Sequence, residues 1–191
     1  MHWNVVSMQL IDPRQKEVNV KGELEKAGEK WRLRFTRNLR HQPQEVWEAI
    51  TQPEHLKAWF PQEIVGKWEK GASLEFKSSY ADANFKGEVL AVDPPRLLEF
   101  RWGTDTLRFE IAPSGSGSTL TLLDTFDEMG KAARDAAGWH VCLDALERHI
   151  DGKQSVGSPG ENWDEVHDDY VRTLGPEAST IGPPERRSET A

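Results

Sequence analysis

Apolar and small residues at Ala132, Ala136, Trp139, Leu143, Leu146 and Ile150 recur at intervals of three and four, which is one stripe of an α-helix. The spacing predicts a long amphipathic helix within Phe126 to Gly152, with Lys131, Arg134, Asp135, Asp144, Glu147 and Arg148 on its far side. A helix with one adhesive face needs a broad partner. Upstream, alternation with period two predicts it. Trp31, Leu33, Phe35, Arg37 and Leu39 share one side of a first strand. Further strands read as Glu63–Trp68, Leu74–Tyr80, Phe85–Val92, Leu97–Trp102, Thr106–Ile111 and Thr119–Phe126. Between the first strand and the rest, Pro43 opens a short helix with Val46, Trp47 and Ile50 on one face. A second short pattern after Pro53 carries Leu56, Trp59 and Phe60.

Turn residues separate the strands: Gly71, the segment 81–84, Pro94-Pro95, Gly103-Thr104 and the run Pro113 to Gly117. The Gly103-Thr104 pair specifies a register. As a two-residue turn with glycine first, it sets Trp102 opposite Asp105, Phe100 opposite Leu107 and Leu98 opposite Phe109, with Glu99 facing Arg108 on the other side. Strand, two short helices, six strands and a long helix make an α+β chain in which a curved antiparallel sheet of about seven strands wraps one long helix.

The flanks differ. Residues 1–30 offer a short apolar stretch, enough for an extra strand or a packed arm, then a charged run without sustained period, so an N-terminal arm of partial order is expected. Residues 153–191 hold eight acidic against four basic side chains, an acidic C-terminal arm; within it Trp163, Val166, Tyr170 and Leu174 share one face of a short helix able to dock on the domain. The domain proper then spans 31–152. A chain of 191 residues, 37% hydrophobic and 29% charged, suffices for one core. Its net charge of -8 argues against a nucleic-acid surface. The single Cys142 excludes a disulfide framework, and no apolar run has the length of a membrane span or the form of a signal peptide. A cytoplasmic protein without membrane insertion, monomeric or homodimeric, is the expectation.

Several stretches carry a resemblance to a known family. RFTRNLRHQPQEVWEAITQPEHLKAWFP resembles the opening of the SRPBCC (START-like, birch-pollen-allergen-like) superfamily, in the branch similar to the C-terminal domain of activators of the ninety-kilodalton heat-shock chaperone ATPase. The positions are Arg37, Pro43, Val46-Trp47, His55-Leu56 and Trp59-Phe60, then PPRLLEFRW and Gly138-Trp139 followed by Leu143 and Leu146. The resemblance spans about Trp31 to Gly152. It implies a helix-grip fold with an elongated cavity between sheet and helix. That superfamily includes lipid carriers, cyclases, hydrolases and chaperone regulators, so the fold leaves the function open.

The parity of the strands fills that space with Phe35, Phe76, Tyr80, Phe85, Phe100, Trp102, Phe109 and Phe126, faced by Trp139 and neighboured by Trp59. Either they line a greasy pocket or they plainly fill the core. Arg37 and Asp124 lie on the inward side of apolar strands, where an unpaired charge is costly. Either they meet across neighbouring strands or they form the polar end of a pocket. The six histidines have no metal-ligand spacing and the Gly115 to Ser118 run is a hairpin turn, so neither a metal nor a cofactor is expected. Cys142 reads as a packed thiol, and His140 as a general acid at a cavity mouth or a partly exposed helix residue. Gly138, unfavourable inside a helix, implies close packing or a local bend.

The leading expectation is a non-enzymatic protein binding a small hydrophobic ligand, such as a lipid or an aromatic or polyketide-like molecule, with Arg37, Trp59, Phe76, Tyr80, Phe85, Phe100, Trp102, Phe109, Asp124 and Trp139 as candidates. The alternatives are a regulator of a heat-shock chaperone and a cavity-based cyclase or hydrolase using Arg37, Asp124, His140 and Tyr80.

Overall fold

A computed structural model of the protein describes residues 21–77, 84–153 and 162–182. Eight antiparallel strands form one open sheet: β1 (Glu23–Ala27), β2 (Lys30–Leu39), β3 (Glu63–Gly66), β4 (Ser73–Lys77), β5 (Phe85–Asp93), β6 (Leu97–Trp102), β7 (Asp105–Ser114) and β8 (Gly117–Phe126). Their spatial order is β1-β2-β8-β7-β6-β5-β4-β3. The chain makes β2 early and closes it last, because its second neighbour is β8. Helices α1 (Pro43–Thr51) and α2 (Pro53–Leu56) lie between β2 and β3, and the long α3 (Ala132–Ile150) follows a turn of 3-10 helix at Met129–Lys131. A fourth helix, α4 (Trp163–Leu174), and a second 3-10 turn at Pro176–Ser179 complete the described chain.

The α+β sheet-around-helix arrangement is the one the alternation implies, and the helix-grip fold the one the resemblance implies, with one strand more. Residues 23–27, which showed no sustained period, pair with β2 through a Gly28-Glu29 turn, Gly28 taking φ +66°. The strand was hidden because it is an edge. It buries little beyond Leu24, opposite Leu33, and is otherwise held by charge: Glu25 accepts from Arg34 at 3.1 Å and Lys26 lies 3.8 Å over the Trp31 ring. The Gly103-Thr104 hairpin has the register read from its sequence, Trp102 opposite Asp105, Phe100 opposite Leu107 and Glu99 opposite Arg108, with an Arg108–Glu99 contact of 3.0 Å. Residues 1–20, 78–83 and the two ends of the acidic arm lie outside the described residues.

The core sits between the concave face of the sheet and α3. Leu33, Phe35, Leu98, Leu107, Leu120, Leu122 and Phe126 point in from the strands and meet Ala132, Ala136, Trp139, Leu143 and Leu146 of the helix. Each such large side chain taken out of water contributes roughly 1.5–3 kcal/mol before entropy is subtracted. The helix has two covered sides, because α4 packs along its outer flank with Tyr170 fully buried. Close packing does not explain Gly138. Among the described residues a Cβ there meets no atom within 4 Å, and α3 runs unbroken through it.

Candidate functional site

Alternate residues of β4 to β7 turn aromatic rings toward α3, and the segment after α2 adds two more. The rings touch in series. Phe109 stacks on Phe100, Phe100 on Phe76 and Phe76 on Phe85, at centroid distances of 6.1, 5.9 and 5.0 Å. Phe60 leans on Phe76, Phe100 and Trp139, while Trp59 meets Phe109 edge-on. Trp59 is fixed by its indole N–H, which donates to the Ala49 carbonyl at 2.9 Å. Phe35, Phe76, Phe100, Phe109, Trp59 and Trp139 are buried; Phe85 and Trp102 are only partly so and bring the run to the surface. There Trp102 packs on Trp139 at 5.2 Å and donates from Nε1 to Gln62 Oε1 at 3.1 Å. The candidates Trp59, Phe76, Phe85, Phe100, Trp102, Phe109 and Trp139 therefore share one continuous layer. Tyr80 lies outside the described residues.

A polar centre adjoins this layer at Trp139, whose Nε1 donates to Asp124 Oδ2 at 2.9 Å. Asp124 is completely buried and, among the described residues, its Oδ1 has no hydrogen-bond partner. Carboxylate oxygens of Asp105, Asp124 and Asp135 all lie within 4.8 Å of one another. Between them stands the ammonium of Lys131, 2.5 Å from Asp105 Oδ2 and 3.5 Å from Asp135 Oδ2. Burial, reinforced by the charges of Asp105 and Asp135, pushes the Asp124 carboxyl well above the usual carboxylate range, against the Trp139 bond and Lys131. Burial also raises Asp135, opposed by Arg134. Burial alone would lower Lys131, but its bond to Asp105 and the surrounding carboxylates more than offset that. Three acids face two cations, Lys131 and Arg134, so one negative charge is in excess, which favours the protonated form of buried Asp124. Such a proton makes the free Oδ1 a donor.

Arg37 is elsewhere. Its cross-strand partner is Leu120, whereas Asp124 faces Leu33, so the two charges stand four residues apart along neighbouring strands, about 13 Å at the usual strand rise. Arg37 Nη2 instead donates to Asp144 Oδ1 of α3 at 3.2 Å. The inward charges thus neither pair with each other nor share one pocket end. Beside Arg37, His140 Nδ1 lies 3.0 Å from the Tyr170 hydroxyl, which accepts the Gly22 N–H at 2.7 Å. Burial lowers His140, with Asp144 opposing and Arg37 assisting. His140 is a docking residue for α4, and burial pushes the Cys142 thiol up to about 12, so it carries no thiolate at neutral pH.

Sequence reasoning missed Lys131, Asp135 and Asp105. The first two were assigned to the outer side of the long helix, yet both side chains are nearly enclosed because the 3-10 turn before α3 swings Lys131 under the Gly103-Thr104 hairpin. A usable signal existed for Asp105, which shares the parity of Leu107 and Phe109. Asp144, also placed outside, faces Arg37.

Comparison with known proteins bears on the fold and family. The family model described as activator of Hsp90 ATPase homolog 1-like protein matches residues 40–151, more than half of the chain. The chain belongs to this family. The matched segment runs from the end of β2 through α3 and so contains most of the sheet, the aromatic layer and the carboxylate centre. No curated protein matches the chain. Among solved structures, the conserved protein of unknown function EF2215 from Enterococcus faecalis superposes with a TM-score of 0.70 at 19% identity, over 83% of this chain and 93% of that one. CalU16 from Micromonospora echinospora gives 0.63 at 22% identity, over 83% and 96%. MLL2253 from Mesorhizobium loti gives 0.57 at 20% identity, over 65% and 99%. At these identities the likeness is one of fold. Among the described residues no helix is long and apolar enough to cross a membrane.

Proposed function

We propose that the protein binds a small hydrophobic molecule between the sheet and α3, entered beside Phe85 and Trp102. One observation carries this reading: the aromatic run that begins at fully buried Phe109 reaches the surface at two half-buried rings, next to an enclosed carboxyl with an unpartnered oxygen. A flat or long apolar guest gains ring contacts along the run, and a neutral Asp124 gives it one hydrogen bond. The rings already touch, so the guest enters by displacing Phe85 and Trp102 rather than by filling a fixed hole. No group in the aromatic layer is a nucleophile, which makes carriage or sensing a better fit than turnover. Native mass spectrometry of freshly purified protein tests the proposal. The expected result is a copurified lipid or aromatic, and saturable uptake of a naphthalene dye that weakens about tenfold, or roughly 1.4 kcal/mol, in Trp102→Ala. A chain that carries no guest and takes up no dye is a scaffold.

Family membership favours a second reading, regulation of a heat-shock chaperone ATPase. It predicts that the protein retains the chaperone in a pull-down and stimulates its ATP turnover, and it fails if turnover is unchanged at saturating protein.

A further inference from the structure

His55 and His149 are 94 residues apart in sequence and no spacing rule connects them. The fold does. His55 stands in the short α2, His149 in the last turn of α3, and His55 Nδ1 faces His149 Nε2 at 2.8 Å with the rings at 61°. Both side chains are half-buried, within reach of solvent. We propose that this pair is a binding site for a divalent transition metal of the zinc or copper class, one that ties α2 to the end of α3.

Imidazole nitrogens suit these ions better than magnesium or calcium, which take oxygen. A tetrahedral zinc with nitrogens at 2.0–2.1 Å holds them about 3.3 Å apart, so the rings part by about half an ångström from their present distance. Two side chains on separate elements accommodate that by small rotations. Proton accounting also closes. Each neutral ring carries one N–H, and only one of the facing nitrogens holds the proton of the present hydrogen bond. When the ion arrives, that ring moves its proton to its other nitrogen and both facing lone pairs become ligands, with no net proton released. Water completes the coordination and leaves exchangeable positions. Among the described residues neither ring has another hydrogen-bond partner, unlike His41, which is held by Asp151 at 2.9 Å. The carboxylate trio is a poorer competitor, because the Lys131 ammonium already occupies it.

The inference stands apart from ligand binding in the aromatic layer. Its test uses the full, untagged chain stripped with a chelator and titrated with zinc chloride, and with copper(II) for electron paramagnetic resonance. One ion per chain is expected, with a rise in melting temperature on addition of zinc and a copper spectrum showing two coordinated imidazole nitrogens. His55→Gln and His149→Gln should each weaken binding by about tenfold or more and lose the two-nitrogen pattern, while His41→Gln keeps both. Circular dichroism of the apo variants confirms that they fold. The proposal is overturned if either single variant keeps wild-type affinity, if zinc produces no heat and no melting shift up to about 1 mM, or if binding disappears only in Asp135→Asn.

Discussion

Asp124, the most deeply buried carboxyl of its cluster, makes the core's stability depend on pH. Its folded-state value lies above the unfolded one because of burial and the carboxylates of Asp105 and Asp135. The folded chain therefore holds this proton more tightly than the unfolded chain. That contribution is fully present below the unfolded value near 3.8 and is lost as pH rises through the raised folded value. Asparagine keeps an acceptor for the Trp139 indole but has no charge to enclose. Melting curves from pH 4 to 9 should show Asp124→Asn gaining on the wild type until pH passes the raised folded value, and level beyond it; parallel curves throughout would mean that Asp124 is solvated. Gly138 offers a simpler case, since it occupies the middle of α3 with open space where a Cβ would stand. Gly138→Ala should stabilise by about 1 kcal/mol, read as a shift in the urea midpoint. What was legible at this scale was parity, which marked Arg37 and Asp124 as inward-facing. It could not say whom they meet. Arg37 and Asp124 were separable only once the register with Leu120 and Leu33 was known, and the burial of Lys131 and Asp135 follows from the path of a three-residue turn that helical periodicity does not encode.

At the scale of elements, α4 is the informative case. Its apolar face of Trp163, Val166, Tyr170 and Leu174 was readable from spacing, and it packs on the flank of α3. Its latch was not, because Tyr170 bonds to Gly22, 148 residues earlier, and to a histidine on a different helix. Tyr170→Phe leaves the Gly22 N–H buried without an acceptor and should cost about 1–3 kcal/mol, measured by denaturant unfolding, with faster amide exchange at Gly22 as the local signature. The latch also titrates. His140 is lowered by burial, so its contribution is complete above the unfolded value near 6.5 and is lost as pH falls below it toward the lowered folded value, and the wild type should lose stability across that window where His140→Gln does not. The β6–β7 hairpin marks the opposite limit. Turn chemistry, apolar pairing and the Glu99–Arg108 pair all specified one register, which is why it could be written down in full, whereas β1 is a charged edge whose pairing only its partner strand reveals.

The C-terminal segment is fastened at the middle of α3 and at the turn before its N-terminus. The Tyr170 latch secures one side, and beyond α4 the Ile181 N–H donates to the Gly130 carbonyl at 2.9 Å, bringing buried Ala178 back over the turn that carries Lys131. Removal of residues 154–191 should uncover Ala133, Ala137 and Val141, lower the melting temperature and raise hydrophobic-dye uptake; unchanged uptake would show that the arm is not a cover. Architecture was the most legible level, since two periodicities and their order suffice for a sheet around a helix. Chemistry was the least, since the carboxylate centre and the His55–His149 pair exist only where distant segments converge. The strand order carries a last consequence for how the chain is made. During synthesis β2 leaves the ribosome second among the strands, yet its inner edge waits for β8, whose closing residue Phe126 pairs with Trp31. Until then the growing sheet presents an unfilled row of amides and carbonyls, and Gly22 waits longer still for Tyr170 of α4. Nascent chains arrested before residue 117 should accordingly be protease-sensitive throughout, with resistance appearing late and abruptly rather than strand by strand.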